Sequence, residues 1–335
     1  MVVVLTLHIL REGKDLFIPL VIALLGVYLI QILERWICSV SFFGRHIPGW
    51  LAMVLAFASV IGFGVLIFSI ITDNAIRVAE YAPLYQQRFL QLQAELFQLA
   101  GIEQPPALRE FLRDVNLAGL VTQVATNLAG LLKTAMLILV LGIFLFMEAR
   151  FVRPKIAALF PEGSQRERVE RLLKRVDGDI QTYFGVKTLV SLATALTSYI
   201  VMRILGLHFS EFWALLVFIL NFIPTIGSIL ATILPALLAL VQFNDTWVPF
   251  LVVAIGITAI QQFFGNFLEP NLMGMTLNLS PLVVVLSLIL WGMVWGVVGM
   301  FLCVPITVIV VIILANFPGT SWVAILLSRK GELRL

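Results

Sequence analysis

Residues 282–314 read LVVVLSLILWGMVWGVVGMFLCVPITVIVVIIL, an apolar run without one charged side chain. A helix needs about 20 such residues to cross the roughly 30 Å of bilayer hydrocarbon, so this run is too long for one straight crossing and too apolar for water. It does not alternate apolar with polar residues, which sets aside the β-barrel, the other fold that satisfies its backbone in lipid. Pro281, Gly292, Gly296, Gly299 and Pro305 punctuate it. A proline removes a backbone donor and glycine permits close approach, so the run is expected to break or re-enter, with Gly292 and Gly296 spaced as GxxxG for helix contact.

Working outward, further apolar windows fall at about 16–33, 50–72, 131–148, 188–207, 212–241 and 247–264. The chain of 335 residues is 61% hydrophobic and 12% charged, with a mean hydropathy of +1.05. A soluble domain carries about 25% charge. The expected fold is therefore all-α and polytopic, with seven or eight transmembrane helices and the lipid bilayer as first partner. Residues 1–10, MVVVLTLHIL, are too short to span; lacking a basic region and a cleavage site, they are expected to be retained as an abbreviated helix. The expected organisation is N-terminal membrane helices over 1–72, an extracytoplasmic helical segment over 73–130, a membrane helix over 131–149, a basic cytoplasmic loop over 150–187, a membrane core over 188–316 and a cytoplasmic tail over 317–335.

The net charge of +3 is too small to suggest nucleic acid, but its placement is informative. Arg150, Arg153, Lys155, Arg166, Arg168, Arg171, Lys174, Arg175 and Lys187 crowd one short loop, which the positive-inside rule makes cytoplasmic. Residues 73–130 set Asp73, Glu80, Glu95, Glu103, Glu110 and Asp114 against Arg77, Arg88, Arg109 and Arg113, which suits the outer face. Counting crossings puts Arg35, Arg45 and the tail inside. In the outer segment Tyr85, Phe89, Leu92, Leu96 and Leu99 form one helical seam, whose partner is the membrane domain, a neighbouring helix or another subunit. In the basic loop Ser164 and Glu167 fit a capping box, and Glu167 with Arg171 and Glu170 with Lys174 fit i,i+4 pairs on an amphipathic helix.

No P-loop, HExxH or GxSxG pattern occurs, so neither an enzyme nor an ATP-driven pump is expected. Cys38 and Cys303 lack metal-site spacing and are expected to stay unpaired, and no cofactor or metal is anticipated. Chemistry must then sit at polar residues and helix breaks at membrane depth, where a charge costs about 2.5–3.5 kcal/mol on insertion scales. The sequence Asn221-Phe-Ile-Pro224-Thr225-Ile-Gly227-Ser228 interrupts a long apolar run that also holds Pro235. Broken helices of this kind expose backbone groups to a substrate cavity. Gln261 precedes a second cluster in which Gln262, Asn266 and Glu269 share a helical face before Pro270. These residues are the candidate substrate pathway. Pro235, Pro270, Gly274, Pro281, Gly292, Gly296, Gly299 and Pro305 are candidate hinges or packing points. The two proline- and glycine-broken runs suggest a duplicated hairpin design. Lys133, Glu148, Lys187 and Arg203 stand at ends of apolar runs and are expected to snorkel to the headgroups.

With these residues in view, the second half resembles the autoinducer-2 exporter family. The matching stretches are FILNFIPTIGSILATILPALLAL (218–240) and FGNFLEPNLMGMTLNLSP (264–281) continuing through Leu314. The family's Asn-x-x-Pro-x-x-Gly break falls on Asn221, Pro224 and Gly227. Its Asn-x-x-Glu-Pro-x-x-Met-Gly turn falls on Asn266, Glu269, Pro270, Met273 and Gly274, and its closing helix on Gly296, Gly299 and Pro305. Weaker similarity extends over nearly the whole chain after residue 16; the departure is the short front end, where family members begin with a full helix. The resemblance implies a homo-oligomer, five subunits by family analogy, in a bacterial-type inner membrane with both termini cytoplasmic. It implies export of a small polar signal such as autoinducer-2. The alternatives are a sodium/proton antiporter relying on Glu269, as other members of the family look to be, and a non-transporting scaffold acting through the outer seam.

Overall fold

The computed structural model describes residues 2–39, 41–42, 45–100, 134–160, 163–243, 246–273, 279–317, 319–329 and 331. Gly274, Lys133 and residues 101–130 of the segment expected over 73–130 lie outside them. Helices α1 (Val2–Glu12) and α2 (Lys14–Ser39) are separated only by Gly13. A two-residue antiparallel pairing, Ser41–Phe42 with Arg45–His46, leads to α3 (Gly49–Ala100). Then come α4 (Thr134–Ala149), α5 (Val152–Leu159), α6 (Ser164–Ile204), α7 (Ser210–Leu220), α8 (Ile226–Gln242) and α9 (Val248–Gln261). A π-helical stretch, Gln262–Leu268, joins α9 to α10 (Glu269–Met273), and α11 (Pro281–Ala315) and α12 (Ser321–Leu327) close the chain.

Lys14–Ser39, Gly49–Asn74, Gln165–Ile204, Val248–Met273 and Pro281–Ala315 are each long and apolar enough to cross a membrane. The surface is inverted relative to a soluble protein. Phe144 (64% exposed), Ile255 (65%) and Val297 (66%) face outward, while Ser191 and Ser198 (both 0%) lie inside. Lipid accepts the first group and would leave the second unpaired. The chain is a polytopic, all-α, multi-pass membrane protein.

Both long apolar windows fold back on themselves. A Cβ on Gly227 would lie 1.8 Å from the carbonyl oxygen of Leu220, and one on Gly299 would lie 1.9 Å from that of Trp291. Residues seven or eight apart in a straight helix are separated by about 10–12 Å, so each segment is a hairpin. In the first, α7 and α8 are its arms and Asn221–Thr225 its tip, with Thr225 at a φ of 60°. With 11 residues, α7 is about 16 Å long and reaches only halfway across the hydrocarbon. In the second, α11 reverses at Gly296 (φ 61°, ψ −139°), a conformation that glycine adopts without steric penalty. The expected GxxxG helix contact is thus something else: Gly296 makes the reversal, and Gly292 meets the Met300 side chain across the same hairpin. The hairpins touch where Phe222 stacks on Phe301, ring centroids 4.5 Å apart. The short N-terminal helix packs here too, with Trp295 Nε1 donating to the Leu10 carbonyl at 2.9 Å.

Helix α6 runs without interruption from the basic segment into the membrane. Its paired charges differ from the expected ones: Glu170 accepts from Arg166 at 2.8 Å, and Arg171 donates to the Glu167 carbonyl at 3.3 Å. Arg168 reaches the Asn316 carbonyl and Arg35 reaches Gln181, gathering the basic segment, the end of α2 and the end of α11 on one face. Arg203 meets Glu211 at 3.7 Å and Glu148 meets Lys155, with Glu211 half-buried and the other three exposed.

On the opposite face, α3 continues past Asn74 as an arm. Of the expected seam, Tyr85 docks on the loop before α7; the side chains of Phe89, Leu92, Leu96 and Leu99 lie outside the described residues. The Tyr85 hydroxyl is 2.6 Å from His208 Nδ1, and Arg88 donates to the Gln242 carbonyl. Gln242 in turn accepts from the His208 N–H at 2.7 Å and donates to the Gly206 carbonyl at 2.8 Å. Burial and a neighbouring Tyr81 push the Tyr85 hydroxyl up to about 12, and burial, then Arg88, lower His208 below its ordinary 6.5. A lowered histidine favours the neutral ring in the fold. Stability is therefore undiminished above pH 6.5 and declines as pH falls below it, because the unfolded ring binds its proton first. The thermal midpoint of the wild type is expected to drop on acidification below that pH, and His208→Gln to remove this part of the slope.

Candidate functional site

A cavity of about 850 Å³ lies between the first hairpin, α6, the π-helical stretch and the start of α11. The tip of the hairpin supplies Asn221, Pro224 and Thr225, and its returning arm supplies Ser228 and Thr232. The tip forms here because Pro224 donates no hydrogen bond and the Leu220 carbonyl accepts from Ile223 at 2.9 Å in a tight turn. Asn221 is held by its amide, which donates to Ser191 Oγ on α6 at 2.9 Å.

The facing wall comes from the end of α9, the π-helix and the start of α10, with Thr258, Gln261, Gln262, Gly265, Asn266 and Glu269. A π-helix fits an extra residue into each turn. The expected α-helical face of Gln262, Asn266 and Glu269 is therefore broadened to include Gln261 and Gly265. Gln261 donates to Thr232 Oγ1 at 3.1 Å, tying this wall to the hairpin, and Asn266 donates to Gln262.

Glu269 does not stand alone. Lys187 Nζ donates to both of its carboxylate oxygens at 2.8 Å, and the two side chains are only 9% and 17% exposed. Lys187 was expected to snorkel to the headgroups and instead turns inward. The reason is Glu269, whose charge the low-dielectric interior would otherwise leave unbalanced. Tyr183, one turn earlier on α6 and 3% exposed, lines the same end of the cavity. Arg329, just past α12, also lines it. It is positioned by a β-bridge between Leu279 and Ser328 and by the Ser280 N–H donating to the Leu327 carbonyl at 3.1 Å. Among the described residues, no group of three or more His, Cys, Asp or Glu is placed to hold a metal ion.

Of the other residues singled out in the sequence, Gly227 serves the hairpin's close approach and Pro270 lines the cavity. Pro235 is buried within α8, Pro281 starts α11, and Pro305 is buried in the second hairpin. Gly292, Gly296 and Gly299 belong to that hairpin's reversal and stand apart from the lining. The sequence does not single out Thr232, Thr258, Tyr183 or Arg329 as lining residues, and it assigns Lys187 to the headgroups. Thr232 lies one turn after Ser228 and Thr258 one turn before Gln262, a spacing that marks them. Nothing near Lys187 in the sequence announces its partner.

Residues 1–319 match the model of a family described as AI-2E family transporter. The chain is 32% identical over 333 residues to the AI-2 transport protein TqsA of Escherichia coli strain K12, covering 96% of this chain and 92% of that protein. It is 31% identical over 299 residues to a putative transport protein of Haemophilus influenzae, covering 87% and 85%. It is 25% identical over 319 residues to the putative transport protein YrrI of Bacillus subtilis, covering 91% and 87%.

Proposed function

Since the chain belongs to the AI-2E transporter family, and so to a group of transport proteins and not of enzymes, we propose that it exports a small, uncharged polar signal of the autoinducer-2 type. One observation carries this reading: the polar groups of the cavity wall are mostly amides and hydroxyls set among apolar side chains such as Ile229 and Val284, and its carboxylate is already paired with Lys187 at 2.8 Å to both oxygens. Such a wall offers many hydrogen-bond partners and no open anionic pole for a cation. The volume, about 850 Å³, falls within the range of roughly 300–1,000 Å³ for small-molecule sites. The E. coli relative named for AI-2 transport supports the same class of solute.

The cavity lies toward the face that carries the basic segment and Arg329. The positive-inside rule makes this face cytoplasmic, so the solute is loaded from inside, and the C-terminus is cytoplasmic too. The setting is a bacterial-type inner membrane, and the assembly is a homo-oligomer, with five copies by family analogy. A cation/proton antiporter would need its ion to displace Lys187 from Glu269, which gives the test its second arm.

Purified protein in proteoliposomes is given labelled autoinducer-2 and an internal pH dye, with and without sodium. The variants are wild type and the charge-swapped Lys187→Glu/Glu269→Lys, which keeps the pair. Signal flux is expected to persist without sodium and to survive the swap. Sodium-dependent proton movement without signal flux would sink the exporter and establish the antiporter.

A further inference from the structure

Helix α6 carries more buried polarity than the cavity uses. Beyond Lys187 and Ser191, Thr194 and Ser198 continue along one side at helical spacing, and Ser191, Thr194 and Ser198 are 0%, 1% and 0% exposed. That side packs against the first hairpin. Ala195 meets Val217 and Ala231, and Met202 meets Ala236 and Ala239. The stripe thus leaves the cavity at the hairpin tip, where Ser191 accepts from Asn221. It runs about 10 Å further toward the face where His208 meets the arm of α3.

Packing alone does not account for Ser198. Serine and threonine in membrane helices commonly return their hydroxyl to a carbonyl one turn back, as Thr194 does to Val190 and Thr197 to Ala193, both at 2.8 Å. The Ser198 hydroxyl finds no partner among the described residues, although it is fully buried. Alanine would fill nearly the same space without stranding a polar group. The opposite wall presents the small residues Ala231, Ala236 and Ala239, which let the two surfaces lie close, with Met202 packed at the far end of the seam.

We infer that the seam between α6 and the first hairpin is the closed outer half of the transport path, and that Thr194 and Ser198 line it when solute leaves. The solute class is a small molecule bearing hydroxyl or carbonyl groups, which give Ser198 the partner it lacks in the closed seam. Asn221 and Ser191 form the threshold between the open cavity and this seam. This rests on the transport reading above, since a scaffold needs no second half.

The test uses full-length protein in proteoliposomes with Cys38→Ser and Cys303→Ala, and single cysteines introduced as Ser198→Cys, Thr194→Cys or Leu196→Cys. Leu196 is 53% exposed on the lipid-facing side of the same helix and serves as the control. A membrane-impermeant methanethiosulfonate is added on both sides. A thiol reacts as its thiolate, which water favours and an apolar seam suppresses, so Ser198→Cys and Thr194→Cys are expected to react at least about tenfold faster than Leu196→Cys. Autoinducer-2 is expected to slow them. Labelling no faster than at Leu196→Cys, for both variants in protein that moves autoinducer-2, overturns the inference and leaves the exporter reading standing. Fast labelling without autoinducer-2 flux keeps the path and removes that solute.

Discussion

Lys187→Met is expected to lower stability by about 1–3 kcal/mol, because it leaves the Glu269 carboxylate, half-buried in the cavity wall, without its balancing charge. The pair is symmetric, with Nζ at 2.8 Å from each oxygen, and the carboxylate side chain is only 17% exposed. Removing the cation leaves the carboxylate's partial desolvation without the Coulomb attraction that offsets it. The companion expectation is sharper: Lys187→Met/Glu269→Gln should recover most of the loss, since neither side chain then carries a charge that must be balanced. Thermal or denaturant unfolding of the solubilised protein measures both. A double variant as unstable as the single one would show that packing at this corner, and not charge balance, sets the stability.

Gly227→Ala and Gly299→Ala are expected to be more damaging still. A methyl at either position would sit 1.8 or 1.9 Å from a backbone carbonyl oxygen, well inside contact distance, and a backbone atom cannot rotate aside. Each hairpin would have to open beside its tip. A loss beyond about 4 kcal/mol follows, in the range reserved for the most disruptive single changes, read as failure to recover monodisperse protein. Gly62→Ala and Gly142→Ala provide the contrast. Both sit in helices with nothing within 4 Å of the added carbon, so each should gain about 0.5–1 kcal/mol from helix propensity. Equal damage at all four positions would refute the close-approach argument.

The membrane windows and the two breaks were legible in the sequence because they depend on local chemistry. A run of apolar side chains declares lipid, and Pro224 or Gly296 declares a disrupted backbone whatever lies nearby. The sense of the second break was not legible: Gly292 and Gly296 have the same spacing whether two helices cross or one chain reverses, and only the approach of Gly299 to Trp291 decides. Lys187 was misjudged for a related reason. It stands at the edge of an apolar window, where a lysine ordinarily reaches for the headgroups, and its inward turn depends on a glutamate far along the chain. The π-helical turn was hidden as well, because Gln262–Leu268 carries no residue that forbids ordinary α-helix. The amides and hydroxyls of Asn221, Ser228, Gln262 and Asn266 could be picked out individually, but that they face one space is a matter of tertiary arrangement.

Helix α6 spans 41 residues as a single element. From its start in the basic segment to Lys187 is about 35 Å along the axis, and no proline or reversal intervenes to absorb a twist. Arg166, Arg171 and Lys174 sit at one end of a stiff shaft whose other end holds the cation that balances Glu269. A twist at the basic end is therefore carried along one continuous helix toward the ion pair, and Gly178 and Gly185 are the points at which that helix yields most easily.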